Sequence, residues 1–433
     1  SPARLPGIPW SDMILNPGLP GSCLDCTPRH RGSTNGEPRQ MSQEQAVILS
    51  ARRTPIGRFG GSLVRVEAPR LGSFAIEAAM KDAGISPEQF DECIMGCVLQ
   101  AGLGQNPARQ AAIGAGLPDT ITAVTVNKVC GSGLEAMMMA ARAIKAGDSR
   151  CVIAGGFENM NRAPHMAHVR AGVKYGPTDL LDHMASDGLT CAFEQWPMGC
   201  AAEHIASTHD ISRDQQDEFS VMSHQRAASA TENGWFKDEM VPLAAEQIKQ
   251  KQPLEADEGF RADSSVESLG KLRPAFQKDG TVTAGNASQI SDGAAAAVIA
   301  SESMASELGA TPMARIVDYN TVGVEPKELF WAPKLGVEKI MADNDLTVDD
   351  IDLFEINEAF AAQVLSNVLP LQIPMDKLNT CGGGIALGHP IGASGARVLT
   401  TLVHQLARTG GHRGICSLCL GGGNAVTMLV QRP

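Results

Sequence analysis

Strand-length apolar runs alternate with glycine-closed helical runs along most of the chain. That alternation limits the possible folds more than any single motif. "QAVILSA" (45–51) reads as a buried strand, and "RLGSFAIEAAMKDAG" (70–84) as a helix stopped by glycine. "ECIMGCVLQ", "ITAVTVNKVC" and "RCVIAGGFENM" read as further strands. "QNPARQAAIGAG" and Leu134 to Lys145 read as the helices between them. From about residue 310 the pattern resumes with "MARIVDYNTVGV", "LGVEKIMADN", "DIDLFEINEAFAAQVLSNVL", "GASGARVLTTLVHQLARTGG", "RGICSLCLGGG" and "AVTMLVQR". Alternating strands and helices imply a mostly parallel sheet covered on both faces, so the fold class is α/β. The halves echo each other: Cys130-Gly-Ser-Gly and Gly392-Ala-Ser-Gly395 each open a helix, and each helix leads to a strand ending in glycines. This suggests duplicated domains. Residues 160–285 break the pattern with charges, Pro, Trp and "SRDQQDEFSVMSHQRAASATENG", where Ser212 has the character of an N-cap. They read as an inserted, partly helical loop domain.

Composition excludes several classes. With 433 residues there is length for two to four domains. A net charge of −12 argues against nucleic acid or an anionic membrane as partner, and no run of about 20 apolar residues is present to span a bilayer. Residues 1–40, rich in Pro, Gly and Arg, lack the apolar core of a secretory signal. They read as a disordered extension, and a transit peptide finds poor support in them. Eleven scattered cysteines fit reduced thiols in an intracellular compartment, cytoplasmic or alternatively mitochondrial. Cys23/Cys26 and Cys416/Cys419 have CxxC spacing. Zinc needs further ligands, and strand geometry points Cys416 and Cys419 to opposite faces, so no metal is expected.

Chemistry concentrates on glycine-rich turns. Cys130 precedes Gly-Ser-Gly at a strand-to-helix turn, where the helix dipole should lower its thiol pKa. A lone Cys beside glycine is otherwise commonly a small packed residue. His389 lies in "CGGGIALGHPIGASGAR", Cys419 precedes three glycines, and Asn357 and Glu358 sit in "NEAFAAQ". Two thiols, an imidazole and a carboxamide on loops after strands suit an α/β site at the carboxyl ends of the strands.

"NKVCGSGLEA", "GGFENM", "GTVTAGNASQISDGAAA", "NEAFAAQ", "GHPIGASGAR" and "CLGGG" stand in the order found in thiolases. The chain resembles that family from about residue 44 to its end, and most closely the biosynthetic, acetyl-CoA acetyltransferase type. The resemblance implies two similar α/β domains with mixed sheets covered by helices in five layers. The N-terminal half would be 42–303, carrying the inserted loop domain, and the C-terminal half 310–433. It also implies reversible Claisen condensation of two acetyl-CoA to acetoacetyl-CoA and CoA. Cys130 would carry the acyl group as a thioester, His389 would be its base, and Cys419 the second acid/base. Asn357 would hold an oxyanion-binding water, and the amides of Cys130 and Gly421 would form a second oxyanion hole. Coenzyme A would lie against Leu189, Met198, Ser264 and Ser268, with Ala359 and Phe360 near the acyl end. No separate cofactor is implied, since coenzyme A thioesters are substrates, and a homotetramer or homodimer is expected.

The chain departs from the family pattern at Pro197, where His is usual, at Phe330 and Trp331 in "ELFWAPK", and at Cys381, where Asn is usual. These put acyl chain length in question rather than reaction class. Alternatives are a degradative 3-ketoacyl-CoA thiolase of broader range, which "GNASQISDG" favours, and an inactive acyl-CoA-binding relative. A decarboxylating ketoacyl synthase would lack Cys419.

Overall fold

The structure is a computed structural model that describes residues 44–433. Residues 1–40, expected as a disordered extension, and Cys23/Cys26 with them, lie outside the described residues. The main strands are β1 (Ala46–Arg53), β2 (Glu92–Gly96), β3 (Thr122–Val126), β4 (Cys151–Asn159), β5 (Ser291–Ser301), β6 (Ala314–Gly323), β7 (Leu353–Ile356), β8 (Arg413–Leu420) and β9 (Asn424–Gln431). The helices that matter here are α1 (Ala68–Ala83), α2 (Pro107–Gly114), α3 (Ser132–Ala146), α4 (Met198–Thr208), α5 (Arg213–Glu232), α6 (Ala332–Asp343), α7 (Ala361–Leu371) and α8 (Ser394–Thr409).

The strands run in the order β7-β8-β9-β6-β1-β5-β4-β2-β3, with the short strand Gly57–Arg58 pairing to β5. The sheet is mixed rather than mostly parallel. β5 returns to the sheet after the long intervening segment and lies antiparallel to both β1 and β4. Only β2 with β3 and β4, and β7 with β8, are parallel. The halves share one strand path, joined where Val47 pairs Arg315 and Ile48 pairs Ala314. The chain's last strand, β9, lies between β8 and β6.

Strand periodicity of two sends alternate residues to opposite faces, and each strand stocks both. In β4, Cys151, Ile153 and Phe157 join an outer core with α1 and α2. Val152 and Ala154 face inward with α3 and α8. In the second half, Cys416 and Leu418 share that inner core, while Ile415 and Cys419 face the outer core of α6 and α7. This gives five layers: helices, strands, the central pair α3 and α8, strands, helices. Cys416 and Cys419 point to opposite faces, and no metal-holding group of His, Cys, Asp or Glu occurs among the described residues.

Glycine sets the spacing of the central layer. α3 starts at Ser132, not Leu134, so Gly133 lies within its first turn. A Cβ there would stand 2.8 Å from the Ala396 amide nitrogen, and one on Gly395 would stand 2.4 Å from that of Leu134. One on Gly156 would meet the Gly392 carbonyl at 2.0 Å. The helices therefore touch backbone to backbone at their N-terminal ends.

Between β4 and β5, α4 and α5 cover one side, with a small hairpin of His165–Met166 and Leu181–Asp182. Ser212 caps α5 in a capping box with Gln215. Arg53 on β1 is fully buried and donates to Glu239 at 2.5 Å and to Asp257 at 2.8 and 3.0 Å, pinning this segment to the sheet. Among the described residues no helix is long and apolar enough to cross a membrane.

Gly156→Ala is expected to lower unfolding free energy by about 1–3 kcal/mol, the usual scale of overpacking. Denaturant unfolding followed by circular dichroism checks it, and an unchanged midpoint would show that the α3–α8 contact can spread without cost.

Candidate active site

β3 ends at Val126, and the chain turns through Lys128 to Gly131 into α3. Val129 has φ 47°, a left-handed conformation that a β-branched side chain rarely adopts. Asn127 Oδ1 accepts from the Val129 amide at 3.0 Å, and the Ser132 hydroxyl donates to the Val129 carbonyl at 2.6 Å. This strained turn sets Cys130 at the head of α3. Nothing in the residue types alone signalled the strain.

Cys130, His389, Cys419 and Gly421 line one cavity of about 800 Å³. Leu189, Met198, Ala359 and Phe360 line it too, as do Pro197 and Phe330. Ser264 and Ser268 do not. Ser268 is exposed and donates to Ser265 in its own turn at 2.8 Å. The segment that holds them does reach the cavity, through Ala275 and Phe276. Ser264 and Ser268, expected by position in the family resemblance, give way there to Arg261, Ala275 and Phe276. Cys381 is buried away from the cavity, and Trp331 lies behind its wall.

Asn357 is fully buried beside His389, its Nδ2 lying 3.4 and 3.5 Å from the two ring nitrogens. Its Oδ1 has no protein partner among the described residues. His389 Nδ1 lies 2.6 Å from the Ser394 hydroxyl, which donates to the Pro390 carbonyl at 2.9 Å. With its one proton committed there, Ser394 accepts from Nδ1–H. That tautomer leaves the Nε2 lone pair free as a base. Ser394 is a positioning residue not expected from the sequence, although it follows His389 by five residues within the quoted motif.

Two buried carboxylates hold the loops. Glu358 accepts from Ser223 Oγ at 2.6 Å, Asn379 Nδ2 at 2.9 Å and the Ile385 amide at 3.2 Å, fixing the approach to His389. Glu158 accepts from the amides of Val98 and Gly392 at 3.0 Å and of Leu99 at 3.2 Å. Burial pushes Glu158 up to about 7.

Burial also governs the reacting groups. It pushes the Cys130 thiol up to about 12, against the favourable pull of its own amide and that of Gly421. The expected lowering by the helix dipole is overturned, because desolvation of a thiolate outweighs a dipole end. Burial, aided by the Arg397 charge, drops His389 to about 3. The Cys419 thiol is pushed well up by burial and by neighbouring Cys130. At neutral pH the site therefore holds two thiols and a neutral imidazole. Such a set moves protons between neutral partners and stabilises charge only as it forms.

Alkylation of Cys130 by iodoacetamide is expected to accelerate about tenfold per pH unit from roughly pH 7 to 10, since only thiolate reacts. Peptide mass spectrometry checks it, and a plateau near neutral pH would show a preformed thiolate instead.

The family model for the thiolase N-terminal domain matches residues 46–303, and that for the thiolase C-terminal domain matches residues 310–432. The acetyl-CoA acetyltransferase of Chromobacterium violaceum is 50% identical over 90% of this chain and 100% of its own length. A probable acetyl-CoA acyltransferase of Staphylococcus aureus is 49% identical over 90% of this chain and 99% of its own. The crystal structure of the Bacillus anthracis acetyl-CoA acetyltransferase superposes with a TM-score of 0.87 at 40% identity, covering 90% of this chain and 99% of that one. With both halves matched over most of their length, the chain belongs to the thiolase family.

Proposed function

We propose that the protein is an acetyl-CoA acetyltransferase that joins two acetyl-CoA into acetoacetyl-CoA and CoA, reversibly. The observation that carries this is the meeting of Cys130, Cys419, His389 and Gly421 in one apolar-walled cavity. His389 takes the Cys130 proton as the sulfur attacks the thioester carbonyl, and CoA leaves as a thiol once it regains that proton. Cys419, its thiol proton passed to His389, then takes a proton from the α-carbon of the second acetyl-CoA. The carbanion attacks the acetyl group on Cys130, and the Cys130 sulfur departs and is reprotonated by the His389 imidazolium. The unpartnered Oδ1 of Asn357 suits a water that would donate to a developing oxyanion, with His389 beside it. The amides of Cys130 and Gly421 suit the other oxyanion. The reaction needs no further cofactor.

Coenzyme A enters between the loop-region wall of Leu189 and Met198 and the second half's Ala359 and Phe360. Rings of Phe330 and Phe276 each lie edge-on to Phe360, at 5.4 and 6.3 Å between centroids, and narrow the acyl end. This favours short acyl groups over the broader range of a degradative enzyme. All nine described cysteines are free, which fits a reducing compartment such as the cytoplasm. β3 is an edge strand with half-exposed residues, and the small hairpin that follows β4 exposes Tyr175, Leu180 and Leu181. Both suit a homodimer or homotetramer.

Mixed with acetyl-CoA and followed by intact mass, Cys130→Ala is expected to gain no acetyl group. Cys419→Ala is expected to acetylate yet fail to condense, and an acetylated Cys130→Ala protein would sink the assignment. Asn357→Ala is expected to lower kcat by roughly 10²- to 10³-fold, the usual loss for an oxyanion donor. Light scattering is expected to give a multiple of the monomer mass, against a single-chain value if the edge strand stays unpaired.

A further inference from the structure

The acyl-end wall is carried by a short turn of 3₁₀ helix, Pro326–Trp331, between β6 and α6. Its inner side presents Leu329 and Phe330 to the cavity, both buried. A turn this short has few hydrogen bonds of its own, so its position depends on what grips it from outside. Three grips are present. Glu328 Oε1 lies 2.7 Å from His204 Nε2. The Trp331 ring stacks on His209 at 4.1 Å with a 14° interplanar angle, and Lys334 Nζ lies 5.1 Å from that ring. Buried Asn367 of α7 donates to the Phe330 carbonyl at 2.7 Å and accepts from the Lys334 amide at 2.6 Å. His204 lies on α4 and His209 is its C-cap, while the other end of α4 reaches the cavity at Met198 and Gly199. One helix thus lines the cavity at its head and grips the turn that carries Phe330 with its tail.

We propose that Glu328–His204 and Trp331–His209 form an external clamp that positions Phe330 as the stop for the acyl chain, so that residues outside the cavity set chain-length selectivity. The proposal rests on the acyl-CoA reading of the cavity. Both side chains of the Glu328–His204 pair are about a quarter exposed, at 26% and 29%. Such a pair contributes little to global stability, and its loss leaves the fold intact. What it fixes is one ring's position. A methylene rejected by an apolar wall is worth one to two orders of magnitude in selectivity.

The test uses Glu328→Gln combined with Trp331→Ala, with Phe330→Ala as the direct comparison. Thiolytic cleavage of acetoacetyl-CoA and 3-ketooctanoyl-CoA is measured for each. The clamp variant is expected to raise the eight-carbon to four-carbon ratio of kcat/KM by roughly tenfold, with the acetoacetyl-CoA rate kept. Phe330→Ala is expected to raise the same ratio. A raised ratio in Phe330→Ala with an unchanged ratio in the clamp variant would overturn the clamp. Amide hydrogen exchange at Leu329 and Phe330 reads the clamp without substrate. Faster exchange in the Glu328→Gln/Trp331→Ala protein is expected, and unchanged exchange would also overturn it. Failure of the unaltered protein to cleave either substrate would instead count against the proposed function, leaving the exchange result to judge the clamp.

Discussion

Everything at the site depends on two helices meeting head to head with no side chains between them. The first turns of α3 and α8 touch through Gly133, Gly395 and Gly392, with Gly156 of β4 beneath. Cys130 enters one helix and His389 the loop before the other. The distance between nucleophile and base is therefore a property of backbone packing, which is stiff, rather than of side-chain rotamers. Each half contributes one helix, so neither half holds the site alone. The fixed geometry also explains why strain at Val129 can persist, since the surrounding contacts leave the turn no alternative.

The second physical theme is exclusion of water. Burial keeps Cys130, Cys419 and His389 uncharged at rest, at an energetic disadvantage for every ion that chemistry must create. The same low-dielectric surroundings strengthen the amides and carboxamide that meet those ions when they form. Glu158 and Glu358 show the structural side of this arrangement. Each buried carboxylate is surrounded by donors from separate loops, and each thereby ties loops that are distant in sequence.

Much of this was legible in the residues. Strand and helix periodicities place most elements, and the glycine motifs locate Cys130, His389, Asn357 and Cys419 on loops after strands. Four features were not legible, each for a physical reason. The strand direction of β5 depends on the path of a long intervening segment, which leaves no local periodicity. The thiol pKa of Cys130 turns on burial from both halves, a tertiary quantity that a dipole argument on one helix omits. Ser264 and Ser268 were expected by position in the family resemblance, but the same segment meets the cavity through Arg261, Ala275 and Phe276, because which side chains of an irregular segment face inward depends on its tertiary path. Trp331 was read as a pocket residue. Its side chain faces outward onto His209, since successive residues of a tight turn cannot all face one side.

The placement of β9 governs how the molecule comes into being. β9 follows every other described strand in sequence, yet it is an interior strand, flanked by β8 and β6. On a ribosome, β6 waits without this neighbour until Asn424–Gln431 emerges. Until then, a long hydrophobic gap remains open in the second half. Cys419 sits at the end of β8, against that gap. The growing chain therefore cannot acquire its second thiol chemistry early, and loss of β9 removes the middle of a sheet rather than fraying its border.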